Sequence, residues 1–535
     1  MQRILPARTQ DEFKPAKCIG ARTDLSACRF QSAAIRGQDC PYLLSIGDRS
    51  RHGCTGRRPR RAPREFGEGA EHGTRGACAF PTVNPYGSPR SVDPGYAAPA
   101  SRSGSGWAAL RFFLGLTLLT LSANTENWPR FRGPSGQGIS SETKLPLSWS
   151  AMSNIVWKAP VPGEGWSSPI VWAERLFVTT ATENGTKCHV LCLDRKTGQT
   201  VWDREVFEQV PLRKEGKNSY ATPTPCTDGE RVYAVFGDGS AVALDFEGRV
   251  LWRNREVQHY SRHGLGASPI LHEGLLIMAY DGSNRVGKAG DWPHNTDEER
   301  LGWQIPWDNA LIVGLNVKTG KRVWTGKRGK SRIAHVTPNI LKEGRTTQLI
   351  SCAGDAIQGF DPKKGELVWT VYSQGEGVTP SFAMGDGLIF TSSGFEKTTL
   401  RTVKTGGTGD VTATHVAWEQ RKGAPTQPSL LYVRPYLYSI TDGGIAHCYK
   451  AENGEIVYAE RIGGNYCASP VYADGRIYFL SETGETTVIE ASPEFKIVSR
   501  NPLNEKCQAS MAVSEGSLFV RTDQNIYRIG WKQGD

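Results

Sequence analysis

The stretch SSPIVWAERLFVTTATENGTKCHVLCLDRKTGQTVW, residues 167–202, decides the fold. A Ser-Pro opens a short apolar run, a polar turn leads to a second run at 176–180, and a third ends at Leu193-Asp194. A Thr-Gly turn then leads into Val201-Trp202. Four short strands joined by tight turns in so few residues make one antiparallel meander. A sheet of this kind is apolar on both faces and needs copies of itself on either side.

The copies are present. The tail LDRKTGQTVW (193–202) returns as LDFEGRVLW (244–252), LNVKTGKRVW (315–324), FDPKKGELVW (360–369) and YKAENGEIVY (449–458). The head, Ser or Thr before Pro, returns at Thr224, Ser268, Thr337, Thr379 and Ser469, with degenerate copies at Gln427-Pro428 and Ser510-Met511. The tail aromatics Trp157, Trp202, Trp252, Trp324, Trp369, Trp418 and Tyr458 recur with the period of a β-propeller blade. The last head has no tail after it, and the first tail, Asn154 to Trp157, has no head before it. Joining them removes an open sheet edge. The expectation is all-β: an eight-bladed propeller of four-stranded antiparallel sheets closed by an N-terminal strand, with seven blades as the alternative.

Charge limits the partners. Of a formal net +10, residues 1–105 carry 17 Lys+Arg against 9 Asp+Glu, and the remaining 430 residues net only +2. A polyanion-binding propeller is not supported, so no nucleic acid is expected. Residues 1–105 show neither repeat nor alternation, and the basic run Arg57 to Arg61 reads as part of an unstructured leader or mis-assigned upstream region. After Arg111 an apolar core, Phe112 to Leu121, precedes Ser122-Ala123. This is the grammar of a signal peptide, assigned to 106–123, too short to span a bilayer. No Cys follows it for a lipid anchor, which leaves 124–535 as a periplasmic or secreted, monomeric propeller without a transmembrane span.

Seven cysteines lie in the propeller region. Cys192 and Cys448 align with Ala243, Gly314 and Gly359, a position for small packing residues. Cys188 and Cys192, four apart on one strand, stand about 13 Å apart and cannot bridge each other.

The tail set Asp194, Thr197, Gly198 and Trp202, with its echoes at Asn316/Thr319/Gly320/Trp324 and Asp361/Gly365/Trp369, resembles the tryptophan-docking repeat of the PQQ-like propeller superfamily. The resemblance spans about 125–530 and includes WPRFRGP at 128–134. It implies the fold strongly and function weakly, because one fold hosts unrelated activities. One branch, the quinoprotein dehydrogenases, holds PQQ between a tryptophan and a disulfide of adjacent cysteines, with calcium on carboxylate and amide oxygens. The chain has no Cys-Cys dipeptide, and Asp281, Asn284, Asp308 and Asn309 do not have the spacing of a calcium loop. Another branch includes the propeller subunit of the outer-membrane barrel-assembly machinery, a scaffold.

The function expected is therefore an exported, non-catalytic binding or scaffold propeller for a partner protein or envelope glycan, with no cofactor. PQQ with calcium, serving alcohol or sugar oxidation, is the alternative. The head hydroxyls Ser168, Thr224, Ser268, Thr337, Thr379, Ser469 and Ser510 could face a ligand. They equally suit the start of an inner edge strand, where Pro is tolerated. A long insertion in blade three, 281–308, carries Trp292, His294, Trp303 and Trp307. Long connections in a tight meander tend to be functional. The candidate face joins Trp292, Trp303 and Trp307 to the pre-head residues Glu164, Trp166, Tyr220, His263, His335 and Tyr466. No nucleophile elbow, zinc-protease motif or phosphate loop occurs. N-terminal sequencing of protein from its native host is expected to begin near Asn124; a mature chain retaining residues before 100 would refute the leader assignment.

Overall fold

Each repeat folds as the spacing predicts. The computed structural model describes residues 126–150, 153–261, 263–282, 310–329, 333–373, 378–393 and 398–531. These form eight antiparallel four-stranded sheets around one channel, each running outward from its innermost strand. Blade 1 comprises Ile170–Trp172, Arg175–Thr182, Lys187–Asp194 and Thr200–Glu208. The innermost strands of blades 2 to 8 are Cys226–Thr227, Ile270–His272, Asn339–Glu343, Ala383–Gly385, Leu431–Val433, Val471–Ala473 and Ala512–Ser514.

The tail turn has a local cause. Asp194 Oδ1 accepts the Lys196 and Thr197 N–H groups at 3.0 and 2.8 Å and the Thr197 hydroxyl at 2.9 Å. Asn316 and Asp361 accept the corresponding pairs of backbone N–H groups in their own turns. Gly198 closes the turn at a φ of 74°, where a side chain would be strained. A Cβ there would also lie 2.7 Å from the Trp157 indole, which belongs to the preceding blade.

That contact is how blades lock together. Trp157, Trp202, Trp252 and Trp418 each donate the indole N–H to a backbone carbonyl in the next blade's turn (Arg195, Phe246, Val317 and Ala451) at 2.8 to 3.0 Å. Their rings cover the turn glycines Gly198, Gly248, Gly320 and Gly454. Each bond contributes about 1 kcal/mol, beyond the apolar burial of the ring. The small residues deduced from the alignment stand opposite the tail aromatic across the strands: Cys192 faces Trp202, Gly314 faces Trp324, and Cys448 faces Tyr458. A Cβ on Gly314 would come within 2.4 Å of the indole. All seven propeller cysteines are free, and only Cys467 is not fully buried.

Blade 4 departs from the pattern. Gly409–Asp410, from a detour in blade 5, adds a fifth strand parallel to Leu367–Tyr372. Trp369 consequently bonds Gln348 Oε1 of its own blade.

The ring closes where the two sequence ends required. Ile155–Pro160 pairs antiparallel with Asn525–Ile529, completing blade 8 with Ala512–Ser514 and Ser517–Arg521. Beside the seam, Glu505 accepts from Lys158, Thr522, Tyr527 and Asn525 at 2.6 to 2.9 Å. Partial burial would raise its pKa, but these four donors outweigh burial and hold it at about 2. A depressed carboxylate contributes stability above its unfolded pKa and loses it as pH falls through the folded value. Glu505→Gln is therefore expected to lower the melting temperature by several degrees at pH 7. The gap to the parent should narrow between about pH 4.5 and pH 2, and a pH-independent gap would refute the assignment.

Candidate functional site

The hub is a relay of hydrogen bonds that runs from blade 1 to blade 8. The backbone N–H of Ser168 donates to Thr224 Oγ1 at 2.9 Å, that of Thr224 to Ser268 at 3.0 Å, and that of Ser268 to Thr337 at 3.0 Å. The relay continues from Thr337 to Ser381, Ser381 to Ser429, Ser429 to Ser469 and Ser469 to Ser510, at 2.9 to 3.2 Å. At the junction of blades 8 and 1, buried Arg521 donates to the Ser167 carbonyl and hydroxyl and to the Thr179 carbonyl. The hydroxyls expected from the heads thus fasten one blade to the next.

Two blades correct the expected register. In blade 5 the ring hydroxyl is Ser381, not Thr379, and in blade 6 it is Ser429, two residues after Gln427. In both, the Pro has moved two places upstream. Thr-Pro-Ser and Gln-Pro-Ser each place a Ser where the inner strand begins. Proline marks the extended approach to the strand, whereas the hydroxyl is fixed by its neighbour's N–H.

Residues two apart on an extended chain face the same side. The position two before each hydroxyl therefore also faces the axis. There stand Trp166, Thr222, Gly266, His335, Thr379, Gln427, Cys467 and Gln508, and all eight line a channel cavity of about 560 Å³. This second ring varies in chemistry from blade to blade while the hydroxyl ring does not. Gly266 makes room for its neighbour, since a Cβ there would sit 2.9 Å from the His335 Cβ.

One end of the channel is stopped by the WPRFRGP segment. Trp128 pairs with Val171 of blade 1, and Pro129 accepts from Thr227 of blade 2. Arg130 donates to Asn339 of blade 4 at 2.9 Å. Arg132 is buried and reaches the Phe382 and Leu430 carbonyls of blades 5 and 6. Gly138 and Ser140 bond Tyr472 of blade 7, and Ser514 of blade 8 donates to the Glu126 carbonyl. Phe131 lines the cavity from this side.

A strap lies over the other end. In the connection from blade 1 to blade 2, Lys217 meets Glu482 of blade 7 at 2.8 Å. Glu482 also accepts from the Cys467 thiol at 2.8 Å. Burial, then the Glu482 carboxylate, push that thiol up, so it stays protonated and is a poor nucleophile. His335 stacks on His263, with centroids 6.3 Å apart and ring planes at 24°. Burial, then the His263 ring, lower its pKa to about 3, which keeps it neutral at physiological pH.

Of the residues singled out in the sequence, Trp166, His263 and His335 meet in the cavity. Glu164, Tyr220 and Tyr466 are not among the residues lining it. Glu164 takes Lys214 at 3.1 Å, and Tyr220 donates to the Leu212 carbonyl, so both hold the strap. Tyr466 is buried between blades 6 and 7. These residues lie three or four places before a hydroxyl, not at the position two before it that lines the cavity. Trp292, His294, Trp303 and Trp307, with Asn284, Asp308 and Asn309, fall outside the described residues. Missed in the sequence were Phe131, Lys217, Asn218, Cys467 and Gln508 of the cavity lining. Counting back two from each hydroxyl would have found Cys467 and Gln508; the others come from connections without a repeat.

The described residues do not fit the quinone–calcium pair. Among the described residues no three His, Cys, Asp or Glu converge as metal ligands, and Asp281 is committed to Arg328 at 2.7 Å in the protein interior. No adjacent cysteines exist to form the disulfide clamp.

Eight meander blades, docked tryptophans and a hydroxyl hub define a PQQ-like repeat β-propeller. The chain belongs to the family described as outer membrane protein assembly factor BamB, which it matches over 154–371 and 353–494. The quinoprotein alcohol dehydrogenase PedH of Pseudomonas putida is 23% identical over 226 residues, 37% of this chain; the match spans only 35% of that relative. Among solved structures, BamB from Moraxella catarrhalis shares 16% identity at a TM-score of 0.48, over 71% of this chain and 98% of that one. A europium-containing methanol dehydrogenase shares 13% at 0.43, over 75% and 90%.

The register correction is open to measurement. Ser381→Ala strands the buried Thr337 N–H and is expected to destabilise the fold by about 1–3 kcal/mol. Thr379→Ala, at the cavity wall, is expected to change stability by less than about 0.5 kcal/mol. Denaturant unfolding of the two variants decides, and the reverse order would restore Thr379 to the ring.

Proposed function

We propose that this protein is an exported, non-catalytic propeller that binds an envelope partner, a protein segment or a glycan, in its channel. The observation that carries this reading is the channel itself. It is stopped at one end, has a volume usual for a ligand site, and is lined by the one inner-strand position that changes chemistry from blade to blade. Invariant positions build the scaffold, and variable positions on a rigid scaffold are where recognition resides. Membership of the BamB family supports a protein partner. The Cys467 thiol in the cavity favours binding over catalysis, because it is held protonated. Export rests on the apolar stretch 112–121. Among the described residues no helix is long and apolar enough to cross a membrane.

Filling the channel provides the test. Gln508→Trp and Thr379→Trp should each abolish crosslinked capture of the envelope partner while melting within about 2 °C of the parent; unchanged capture by both would overturn the assignment. Incubation with PQQ and Ca²⁺ is expected to produce no dye-linked oxidation of alcohols or sugars, and turnover under those conditions would establish the dehydrogenase reading instead.

A further inference from the structure

The chemistry of whatever enters the channel is written in its uncommitted hydrogen-bonding groups. Seven of the eight ring hydroxyls, all but Ser168, accept a backbone N–H, which occupies the oxygen but leaves the hydroxyl proton free. Ser469 donates that proton to Ser429 at 2.8 Å. Thr224, Ser268, Ser381, Ser429 and Ser510 accept in the same way and have no acceptor for theirs among the described residues. All five line the cavity. The relay that fastens the blades therefore leaves a crown of O–H donors around the axis.

A second, independent observation points the same way. Trp166 is 7% exposed, and its indole N–H has no partner although the ring lines the cavity. A buried polar group without a partner is rare and calls for one. The deep groups therefore offer protons in excess. Gln508 Oε1 and His335 Nδ1 are likewise buried without a partner.

Charge reinforces this. Arg132 at the stopped end and Arg521 at the blade 8–1 junction are fully buried, bonded to carbonyls and the Ser167 hydroxyl, with no carboxylate partner among the described residues. Burial lowers both pKa values, to about 9, which still leaves two cations at neutral pH beside the crown. The carboxylates near the cavity are at its mouth: Glu482 is neutralised by Lys217, and Glu215 is exposed on the strap. A low-dielectric pocket with a donor-rich wall and two cations buried behind that wall favours an oxyanion. The aromatic walls, Trp166 and Phe131, and the amides of Gln427, Gln508 and Asn218 suit a sugar ring with its hydroxyls.

We infer that the channel receives an acidic sugar unit, a uronic acid residue whose carboxylate meets the hydroxyl crown and whose ring lies against Trp166. This rests on the binding reading above and specifies its ligand. Calorimetric titration of the full chain with galacturonate, galactose and sodium sulfate tests it. Galacturonate is expected to bind at least tenfold more tightly than galactose, with affinity falling as salt rises. Trp166→Phe, which keeps the ring and removes the N–H, should weaken galacturonate about tenfold without altering the melting temperature. Equal binding of the two sugars would overturn the carboxylate, and sulfate competing as well as galacturonate would overturn the sugar. No galacturonate binding would end the inference outright. The channel-filling variants judge the binding reading separately, because partner capture does not depend on these probes.

Discussion

A backbone N–H at the head of one blade donates to a hydroxyl at the head of the next, and this bond, repeated from blade 1 to blade 8, sets the geometry of the molecule. Innermost strands are sheet edges facing a channel, where an unpaired N–H would be costly. Ser and Thr satisfy it with a side chain short enough to leave the axis open. The bonds fix the spacing of the inner strands, and with it the positions of every side chain two residues upstream.

The perimeter is held by a different interaction. There the indole of one blade lies on the glycine turn of the next and donates to its carbonyl. Inner relay and outer docking act on opposite ends of each sheet, so a blade is held against rotation about either. Blade 4 shows the consequence of losing one. The turn expected in blade 5 is replaced by a detour that adds a strand to blade 4, and Trp369 turns to its own blade for a partner. Blade 4 retains the hub bonds through Thr337 and Ser381, and Trp324 of blade 3 still covers its turn glycine Gly365.

The hub also links structure to recognition. A hydroxyl that accepts for the scaffold retains a proton for the channel, so the same atoms can fasten blades and bind a ligand. The two readings of the head residues weighed in the sequence are therefore compatible. Sealing by the WPRFRGP segment makes the arrangement a pocket instead of a pore. Its arginines tie the segment to blades 4, 5 and 6, and Phe131 between them lines the cavity.

The sequence alone determined whatever repeats. Period, turn chemistry and the docked aromatic are local or recur once per blade, so eight sheets, their strand order and the closure of 155–160 on 525–529 were legible before any coordinates. The small residues opposite the tryptophans were legible by the same alignment. Tertiary structure decided what occurs once. Proline misled the register in blades 5 and 6 because it reports local backbone preference, whereas the ring position is set by a donor on another blade. The strap's reach from Lys217 to Glu482, the stopped end under Phe131 and the meeting of His263 with His335 join residues far apart in the chain. No periodicity encodes such contacts. They follow from closing the ring, which brings eight unrelated loops to one axis.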